Sequence, residues 1–438
     1  MKRVLIITYY WPPVGGSGVQ RWVKFAKYLP QEGWQPVIYT PENPDLSSVD
    51  PSLLEDIPAE AEIIKRHIVE PYGIYRKITG SKGQIKVEAN PGNGGKGSLI
   101  KKVSMWIRGN FFMPDPRCFW IDPSVRFLKK YLKEHPVDII VSTGPPQSMH
   151  LIARKLSRLT AIPWVADFRD PWTGIFYFKH LRLSKLAEKR HHMLEQAVLD
   201  EATAIVAVSP LVQQDFAAMT DTPVHLITNG YDESDYVQAV EQDGSFSLVH
   251  TGLLTADGNP VELWKILGQK CASDKKFASR FRLILAGKTD GAVLESIREA
   301  GLDDNLTDLG YIDHDKAVMQ QRKASVLILP IREEPETKAI LPGKLFEYLA
   351  ARRPVLGVGT REGAMATVLQ ETGAGKIFDW KDSDDIKEYL DCCWENFCAG
   401  TLETEACDIE RFSRRNTTRQ MAELFEQLAH PDNKGHRL

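Results

Sequence analysis

The chain has 438 residues, of which 43% are hydrophobic and 26% charged, and its formal net charge at pH 7 is −3. This length and composition predict two or three globular domains, each large enough to have its own core. The slightly negative net charge argues against nucleic acid as a main partner.

The amino terminus is basic and then apolar, as at the start of a signal sequence. The apolar run 4–7 is too short for such a sequence, and Trp11, Pro12 and Pro13 stand where small cleavage-site residues belong. We therefore interpret this segment as a buried strand. No apolar run reaches the roughly 18 residues of a membrane-spanning helix, and we expect a cytoplasmic protein.

The first half of the chain alternates strand-like apolar runs with helical patterns. The predicted strands are 4–10, 36–40, 137–143, 163–168, 203–209 and 224–228, and the predicted helices are 19–29, 122–134, 148–160 and 184–201. Such alternation is typical of a parallel sheet with helices on both faces. Residues 79–98 interrupt it, because their Gly, Lys and Asn content is typical of a loop.

The same alternation restarts after Asn229 and Gly230. The predicted strands are 246–252, 281–287, 306–312, 324–330 and 354–359, and the predicted helices are 260–272, 291–300, 313–323 and 343–352. The sequence therefore predicts an α/β protein with two doubly wound halves, joined near 229–234.

A glycine-rich turn, Gly15 to Gly18, separates the first predicted strand from the first predicted helix. Glycines at Gly15, Gly16 and Gly18 allow a ligand to approach the backbone, and a helix amino terminus offers free N–H groups to an anion. The spacing differs from the dinucleotide-binding pattern. A plain tight turn and a phosphate or substrate site both remain open.

The segment Asp167 to Trp172 follows the predicted strand 163–168. Open α/β sheets bind ligands beyond the carboxyl ends of their strands. We therefore expect Asp167, Arg169 and Asp170 to face a cleft and to hold sugar hydroxyls. The alternative is a helix-capping Asp of this segment paired with Arg169.

The segment 342–359 opens a helix with Pro342 and Gly343, and Lys344 lies in its first turn. A lysine beside a helix amino terminus is suited to a diphosphate. Glu347 lies one turn further on and can accept two hydroxyl hydrogens, as from a ribose. An ordinary Lys–Glu pair on a helix is the alternative.

Small residues also follow three predicted strands of the second half. They are Thr251 and Gly252, Gly287 and Lys288, and Gly310 with Tyr311 and Ile312. Their recurrence favours a shared ligand crevice over three unrelated turns. In contrast, His191 and His192 lie in a charged helical pattern, and we interpret them as part of a solvated face.

Together, these segments resemble the GT-B glycosyltransferases of family 4, a retaining group that uses nucleotide sugars. The resemblance covers nearly the whole chain and looks closest to a bacterial branch acting in surface polysaccharide assembly. The segments that carry it are YYWPPVGGSGVQRW, STGPPQSMHL, IPWVADFRDPW, NGYD, HTGLL, LILAGK, LGYI and GKLFEYLAARRPVL.

The resemblance implies two Rossmann-like domains that face each other across a cleft. Residues 1–230 would bind the acceptor, residues 231–408 would bind the nucleotide sugar, and a helix over 409–428 would cross back to the first domain. A UDP- or GDP-sugar would be the co-substrate, with no cofactor and no metal. The acceptor would be a glycan or a lipid-linked glycan.

The residues and the resemblance together give three groups of candidate site residues. The catalytic candidates are Asp170, Arg169 and Lys344; the donor-binding candidates are Gly15, Gly16, Gly18, Thr251, Gly252, Lys288, Tyr311, Ile312, Lys338, Gly343, Leu345 and Glu347; the acceptor-binding candidates are Asp167 and Trp172.

Some positions depart from the family pattern. Ala339 stands where the first of two acidic residues belongs, and Leu253 and Gly258 replace a common basic pair. Lys338 and Lys288 are candidate substitutes. Two alternatives to a transferase therefore remain open: a nucleotide-sugar 2-epimerase of the same architecture, and a non-catalytic protein that binds sugar nucleotides.

The segment 101–120 mixes basic and aromatic side chains. Lys101, Lys102, Arg108 and Arg117 occur among Met105, Trp106, Ile107, Phe111, Phe112, Phe119 and Trp120. Such a mixture suits a weak peripheral contact with a membrane surface. Packing of the aromatic rings inside the domain is the alternative.

Overall fold

The computed structural model describes residues 1–44, 49–69, 106, 109–175, 178–237, 240–404 and 406–430. The chain forms two compact units, Met1–Thr228 with Thr417–Leu438, and Asn229–Asn416. The predicted loop 79–98 lies outside the described residues, as do Lys101, Lys102, Met105, Ile107 and Arg108 of the basic and aromatic segment.

A seven-stranded parallel sheet forms the centre of the first unit. Its strands are β1 (Lys2–Ile7), β2 (Trp34–Pro41), β3 (Glu62–Arg66), β4 (Ile139–Gly144), β5 (Trp164–Phe168), β6 (Ala204–Ala207) and β7 (Val224–Leu226). They lie in the order β3-β2-β1-β4-β5-β6-β7. The inner strands are buried along their length, as expected for a sheet covered on both faces.

Five helices of the first unit follow strands of this sheet. They are α1 (Ser17–Tyr28), α2 (Ile121–Glu134), α3 (Ser148–Thr160), α4 (Lys185–Glu201) and α5 (Pro210–Met219). Local chemistry sets some of their ends. Ser184 caps α4 by accepting a hydrogen bond from the Ala187 amide at 3.3 Å.

The second unit has a six-stranded parallel sheet. Its strands are β8 (Phe246–Thr251), β9 (Phe281–Ala286), β10 (Leu306–Gly310), β11 (Val326–Pro330), β12 (Val355–Val358) and β13 (Gly375–Phe378), in the order β10-β9-β8-β11-β12-β13. Its helices are α6 (Val261–Ser273), α7 (Lys275–Arg280), α8 (Gly291–Glu299), α9 (His314–Lys323), α10 (Gly343–Ala351), α11 (Ala364–Thr372) and α12 (Ser383–Ala399).

The last helix, α13 (Arg414–Ala429), contributes to the core of the first unit. Met421, Leu424 and Phe425 are buried there, and the Phe425 ring meets the Trp34 ring edge-on with centroids 5.3 Å apart. A short 3₁₀ turn, Ile409–Phe412, precedes α13, so the regular helix begins later than the predicted 409.

The predicted α/β class, with one parallel sheet in each half, is confirmed. Two strands, β3 and β13, were not predicted. Both lie at a sheet edge, and both alternate exposed and partly buried residues. Their short, mixed sequences lack the apolar run by which the central strands are recognised.

A buried ion pair joins the first helix to the centre of the first sheet. Arg21 on α1 and Asp167 on β5 are 1% and 0% exposed, with Nη2 and Oδ1 2.8 Å apart. The Trp22 indole also donates to Asp167 Oδ2 at 2.7 Å. Arg21 donates in addition to the carbonyls of Ile227 and Thr228, at 2.9 and 2.8 Å.

This geometry corrects both hypotheses for Asp167. The carboxylate lies within the core, where Arg21 and Trp22 occupy its two oxygens, so it does not face an acceptor. It does not pair with Arg169 either. Of the three residues expected to face a cleft, Asp167 therefore lies in the core, whereas Asp170 is exposed.

We predict that Asp167→Ala destabilises the fold by about 3–5 kcal/mol, because it leaves the Arg21 charge buried without its partner. Urea unfolding of the two proteins would measure this. The matched control is Lys155→Ala, which breaks a pair with Asp122 whose side chains are 49% and 72% exposed. It should cost at most about 1 kcal/mol. Equal losses in the two variants would contradict a structural role for the buried pair.

Candidate functional site

Each sheet has one position where the chain reverses its winding direction. This position lies between β1 and β4 in the first unit and between β8 and β11 in the second. In open α/β sheets the crevice beyond the carboxyl ends of these two strands is the usual ligand site. The sequence motifs fall at both positions, and the two sites are described separately.

In the second unit, α10 presents its amino terminus without a side-chain cap. The helix follows Pro342, and Gly343 is exposed. A Cβ added at Gly343 would meet no described atom within 4 Å. The first-turn amides therefore have room for an anion, and the helix dipole adds partial positive charge there.

Lys344 lies in this first turn and is held by β8 and the turn after it. Its ammonium donates to the Leu253 carbonyl at 3.3 Å and to His250 Nε2 at 3.2 Å. His250 is buried, and its Nδ1 donates to the Ile328 carbonyl at 3.0 Å. This bond fixes the neutral tautomer in which Nε2 accepts from Lys344.

Burial shifts the pKa of both groups. It lowers the pKa of Lys344 to about 8. Burial and the nearby Lys344 charge lower the pKa of His250 to about 3, so the imidazole stays neutral at physiological pH. The pair thus places a single positive charge, fixed in position, beside the start of α10.

Close packing at the strand ends requires glycine at two of the predicted positions. Gly252 has φ of 91°, and a Cβ there would lie 3.3 Å from Lys344 Nζ. Gly287 has φ of 148°, and its Cβ would lie 2.1 Å from the Gly252 carbonyl oxygen. A side chain at Gly287 would therefore displace the turn that holds Lys344.

Glu347 is oriented by a hydrogen-bonded glutamine. Gln321 on α9 donates to Glu347 Oε2 at 2.8 Å and to Thr251 Oγ1 at 3.0 Å. The Thr251 amide donates to the Tyr348 hydroxyl at 2.9 Å. Thr251 is therefore buried as a support for the site, while Glu347 Oε1 has no partner among the described residues.

The other donor-binding candidates are spread around this edge. Leu345 is fully buried, so only its backbone is available to a ligand. Tyr311 is 73% exposed and Ile312 is partly buried, after β10. Lys288 is exposed after β9. Lys338 forms an exposed ion pair with Glu362 at 3.2 Å, which draws its charge toward the surface.

In the first unit, the glycine turn and the Arg169 segment come into contact. Gly16 caps α1 with φ of 100°. A Cβ added at Gly18 would lie 2.7 Å from Arg169 Nη1 and 3.1 Å from the Tyr10 ring. Arg169 donates to the Pro145 carbonyl, and its guanidinium lies 5.7 Å from the centre of the Tyr10 ring. A side chain at position 18 would therefore displace the Arg169 guanidinium.

A cavity of about 230 Å³ opens beside this contact. It lies beyond the ends of β1 and β4, and its walls include Tyr10, Phe112, Arg117, Gln147 and Trp172. The Gln147 Oε1 atom is buried and has no hydrogen-bond partner among the described residues. Aromatic walls with a few polar groups are typical of a site for a sugar or another organic ligand.

His191 lines the same cavity, which corrects its interpretation as part of a solvated face. It is 3% exposed and accepts a hydrogen bond from the Trp172 indole at 3.1 Å. Burial lowers its pKa. His191 lies on the buried face of α4, which it shares with Ala187, Glu195, Val198 and Leu199. Asp170 is exposed at the carboxyl end of β5.

Several residues of the two sites were missed by the sequence analysis. They are Tyr10, Arg117, Gln147, His250, Gln321 and Tyr348. A usable signal existed for His250, which stands directly before the predicted strand end at Thr251. For Gln321 and Tyr348 the sequence offers no signal, because their roles arise only when α9, α10 and β8 pack together.

The described part of segment 101–120 contains both exposed and buried aromatic residues. The Trp106 and Phe111 rings are 43% and 67% exposed and lie 5.7 Å apart, whereas Trp120 is 2% exposed. Arg117 is buried, with its guanidinium 4.4 Å from the centre of the Tyr9 ring. Internal packing therefore accounts for part of the segment.

Two structural features are absent from the described residues. No helix there combines the length and the apolar character needed to span a membrane. No three His, Cys, Asp or Glu side chains of the described ranges are grouped so that they could hold a metal ion.

Comparison with protein families gives two matches along the chain. The sequence model for Glycosyltransferase Family 4 matches residues 97–235, and the model for Glycosyl transferases group 1 matches residues 245–396. Together they span both units. Comparison with the sequences of curated proteins gives no match.

Solved structures share the fold at low sequence identity. Sucrose-phosphate synthase from Thermosynechococcus elongatus is 15% identical, with 99% of this chain and 100% of that chain covered and a TM-score of 0.63. A putative UDP-N-acetylglucosamine 2-epimerase from Listeria monocytogenes is 10% identical, with 100% and 99% covered and a TM-score of 0.58. WaaG, a glycosyltransferase involved in lipopolysaccharide biosynthesis, is 14% identical, with 99% and 100% covered and a TM-score of 0.52.

We predict that Lys344 loses its proton near pH 8, because burial disfavours the ammonium. Below that pH the site carries the charge, and above it the charge is lost. Labelling lysine with ¹³C at Cε and following the resonance by NMR would measure the midpoint. Lys344→Arg identifies the resonance by its disappearance. A midpoint above 10 would contradict the buried, charge-bearing arrangement.

Proposed function

We propose that this chain, which belongs to the GT-B glycosyltransferases of family 4, is a retaining enzyme. It would move a sugar from a nucleotide-sugar donor to an acceptor hydroxyl. The observation that carries the proposal is the site at the start of α10, where Lys344 and the free helix terminus offer positive charge to a diphosphate. The biological setting we propose is the assembly of a surface polysaccharide or glycolipid, the role that the name of WaaG describes for that protein.

Departure of a nucleoside diphosphate requires stabilisation of negative charge. As the glycosidic bond breaks, the leaving phosphate oxygen gains charge, and fixed positive groups lower the energy of that state. The first-turn amides at Gly343 and the Lys344 ammonium are positioned to do this without rearrangement, because His250 and the Leu253 carbonyl already hold the lysine. We propose that Lys344 is the catalytic group on the donor side.

Glu347 is suited to the ribose of the nucleotide. Gln321 occupies its Oε2, which leaves Oε1 to accept a hydroxyl hydrogen. Tyr311 and Ile312 follow β10 at the same edge of the sheet, and we propose that they border the base. UDP and GDP are the nucleotides we favour.

We propose further that the reaction needs no metal ion. The role of a divalent cation at the diphosphate is to neutralise the charge of the leaving group. At this site the lysine and the helix terminus supply positive charge by themselves. The acidic pair Asp303 and Asp304 precedes β10 at its amino end, on the other side of the sheet from this site.

The donor proposal predicts separate effects for Lys344 and Glu347. Lys344→Ala removes a charge-assisted contact worth about 1.5–3 kcal/mol in the transition state, so turnover in the presence of EDTA should fall by roughly 10- to 100-fold. Glu347→Ala should mainly weaken nucleotide binding, because a ribose contact is similar in the ground and transition states. Steady-state kinetics and nucleotide titration would measure the two effects.

The matched control for Lys344 is Lys265→Ala, which removes an exposed lysine of the second unit that pairs with Glu262 at 2.7 Å. Turnover of this variant should change little, because Lys265 lies outside the candidate site. Wild-type turnover in Lys344→Ala, or loss of activity in EDTA with rescue by Mn²⁺, would overturn this mechanism.

On the acceptor side, we propose that the cavity beside Arg169 holds the acceptor or the transferred sugar. Trp172 and His191 form a rigid wall, Arg169 is fixed against Tyr10, and Asp170 is exposed at the same strand end. Gly15 and Gly16 would let the donor or acceptor approach the backbone of the first turn. No enzymic nucleophile is assigned; the family resemblance implies front-side attack by the acceptor hydroxyl.

For the acceptor side we predict that Asp170→Asn lowers turnover while nucleotide affinity stays near the wild-type value. The exposed carboxylate is free to orient a hydroxyl, whereas the amide lacks its charge. Kinetics together with nucleotide titration would show the difference. Loss of folding in Asp170→Asn, judged by its thermal midpoint, would instead indicate a structural role.

We also propose a lipid-linked acceptor, reached by weak peripheral contact of this otherwise cytoplasmic protein with the inner face of the membrane. The exposed pair of Trp106 and Phe111 provides apolar area of the kind that enters a lipid interface. Basic residues of the same segment would add attraction to anionic lipids.

This proposal predicts that the protein cosediments with anionic liposomes at low salt and that Trp106→Ser with Phe111→Ser removes the binding. Leu186→Ser is the control, because Leu186 is 79% exposed but lies outside the segment. It should leave cosedimentation unchanged. No cosedimentation of the wild-type protein, or equal loss in the control, would count against the membrane contact.

A nucleotide-sugar 2-epimerase is the second candidate, favoured by the shared fold of the putative epimerase from Listeria monocytogenes. NMR of a nucleotide sugar incubated without acceptor separates the two functions. An epimerase converts the sugar under these conditions, whereas a transferase requires an acceptor and gives a product with retained anomeric configuration. Binding without any turnover would support a non-catalytic protein.

A further inference from the structure

The second unit has another cavity, of about 420 Å³, at the far end of α10 from Lys344. Helix α10 has nine residues, and at 1.5 Å per residue its two ends are about 13 Å apart. The residues lining the cavity are Tyr231, Glu233, Tyr236, Val240, Arg322, Ala350, Ala351, Arg352, Arg353 and Ile409. The donor site described above does not use any of these side chains.

Positive charge dominates this cavity. Three arginines line it against one carboxylate, Glu233. Arg352 is paired with Glu410 at 3.2 Å. Arg353 donates through Nε to the Arg322 backbone carbonyl at 3.0 Å, but its guanidinium and that of Arg322 have no ion pair with a carboxylate among the described residues.

The two guanidiniums of Arg322 and Arg353 also repel each other. Burial and the neighbouring Arg322 charge lower the pKa of Arg353. Two partly buried like charges that share one cavity are unfavourable unless an anion lies between them. Arginine presents a planar fork of donors that matches a phosphate or a carboxylate.

The other walls are aromatic and apolar. The rings of Tyr231 and Tyr236 stand at 87° to each other with their centroids 6.0 Å apart. Val240, Ala350 and Ile409 complete the lining. The cavity therefore has space and apolar surface for a group larger than a bare anion.

The cavity is also connected to the donor site by hydrogen bonds. The Tyr236 hydroxyl lies 3.1 Å from the Glu347 carbonyl oxygen and 3.3 Å from Gln321 Oε1. Gln321 in turn donates to the Glu347 carboxylate at 2.8 Å. A ligand against Tyr236 would therefore lie two hydrogen bonds from the carboxylate that we assign to the ribose.

We propose that this cavity is a second binding site, which takes a phosphorylated small molecule with its phosphate between Arg322 and Arg353 and its organic part against Tyr231 and Tyr236. The binding itself does not depend on the proposed transferase activity; only its connection to Glu347 does. The site is separate from the diphosphate clamp at Lys344.

Calorimetric titration of the full chain with phenyl phosphate and with inorganic phosphate, at constant ionic strength, tests the proposal. Both probes should bind, and phenyl phosphate should bind more tightly because its ring contacts the tyrosines. Arg322→Gln should weaken phenyl phosphate binding by roughly 10-fold or more. Its side chain makes no ion pair in the described structure, so the variant should fold.

Three further variants test whether the probe binds in this cavity. Lys323→Gln removes an exposed charge from the same helix end and should leave binding unchanged. Ala350→Glu places a carboxylate in the cavity and should abolish binding with all arginines intact. Lys344→Ala should retain binding, because it alters only the donor site.

Absence of phenyl phosphate binding to the wild-type protein would overturn the proposal. So would equal weakening by Lys323→Gln and Arg322→Gln, which would mean nonspecific attraction. Loss of binding in Lys344→Ala but not in Arg322→Gln would place the probe at the donor site and would also overturn it. None of these outcomes bears on the turnover and nucleotide titrations that test the transferase.

Discussion

The parallel direction of every strand is the constraint on which the functional sites depend. In a parallel sheet all carboxyl ends lie at one edge, so residues far apart in sequence meet there. In the second unit this brings the turn after β8 next to the start of α10, where the Leu253 carbonyl and His250 contact Lys344. In the first unit it brings Gly18 against Arg169. Side chains at these glycine positions would displace the contacts, and at Gly287 an added Cβ would meet the Gly252 backbone at 2.1 Å.

The buried pair of Arg21 and Asp167 shows how the first unit keeps its site rigid. Arg21 belongs to α1, which begins at the glycine turn, and Asp167 belongs to β5, which ends at Arg169. Tying the helix to the strand fixes the glycine turn relative to the Arg169 segment, beside the cavity that we propose for the acceptor. A pair buried this deeply contributes little net stability compared with apolar packing, but breaking it is costly. We therefore infer that the pair fixes the position of α1 against β5.

The proposed donor site differs from this ion pair, because hydrogen bonds to neutral partners hold its charged group. Burial makes the Lys344 ammonium less stable and lowers its pKa to about 8. The neutral His250, the Leu253 carbonyl and the nearby Glu347 carboxylate compensate only in part, because the pKa stays below its ordinary value. A diphosphate, as we propose, would add the missing negative charge. Arg322 and Arg353, at the other end of α10, also have no carboxylate partner among the described residues. We therefore infer that an anion binds there.

The sequence by itself determined the central strands, the two-fold repeat of the α/β pattern and the positions of the glycine turns. These properties are local, because apolar periodicity and turn residues act within a few positions of the chain. It also placed Lys344 and Glu347 on one helix. The tertiary structure alone decided the partners of the polar side chains. Asp167 pairs with Arg21, 146 residues away, and not with the nearby Arg169.

His191 turns inward to Trp172 although its neighbours on α4 are charged. His250 fixes Lys344 across 94 residues, and Gln321 orients Glu347 from a different helix. No local pattern encodes such pairs, since they depend on which faces of the elements meet in the packed fold. The edge strands β3 and β13 were missed for the same reason, because their place is set by the neighbouring strand with which they pair and not by an apolar run of their own.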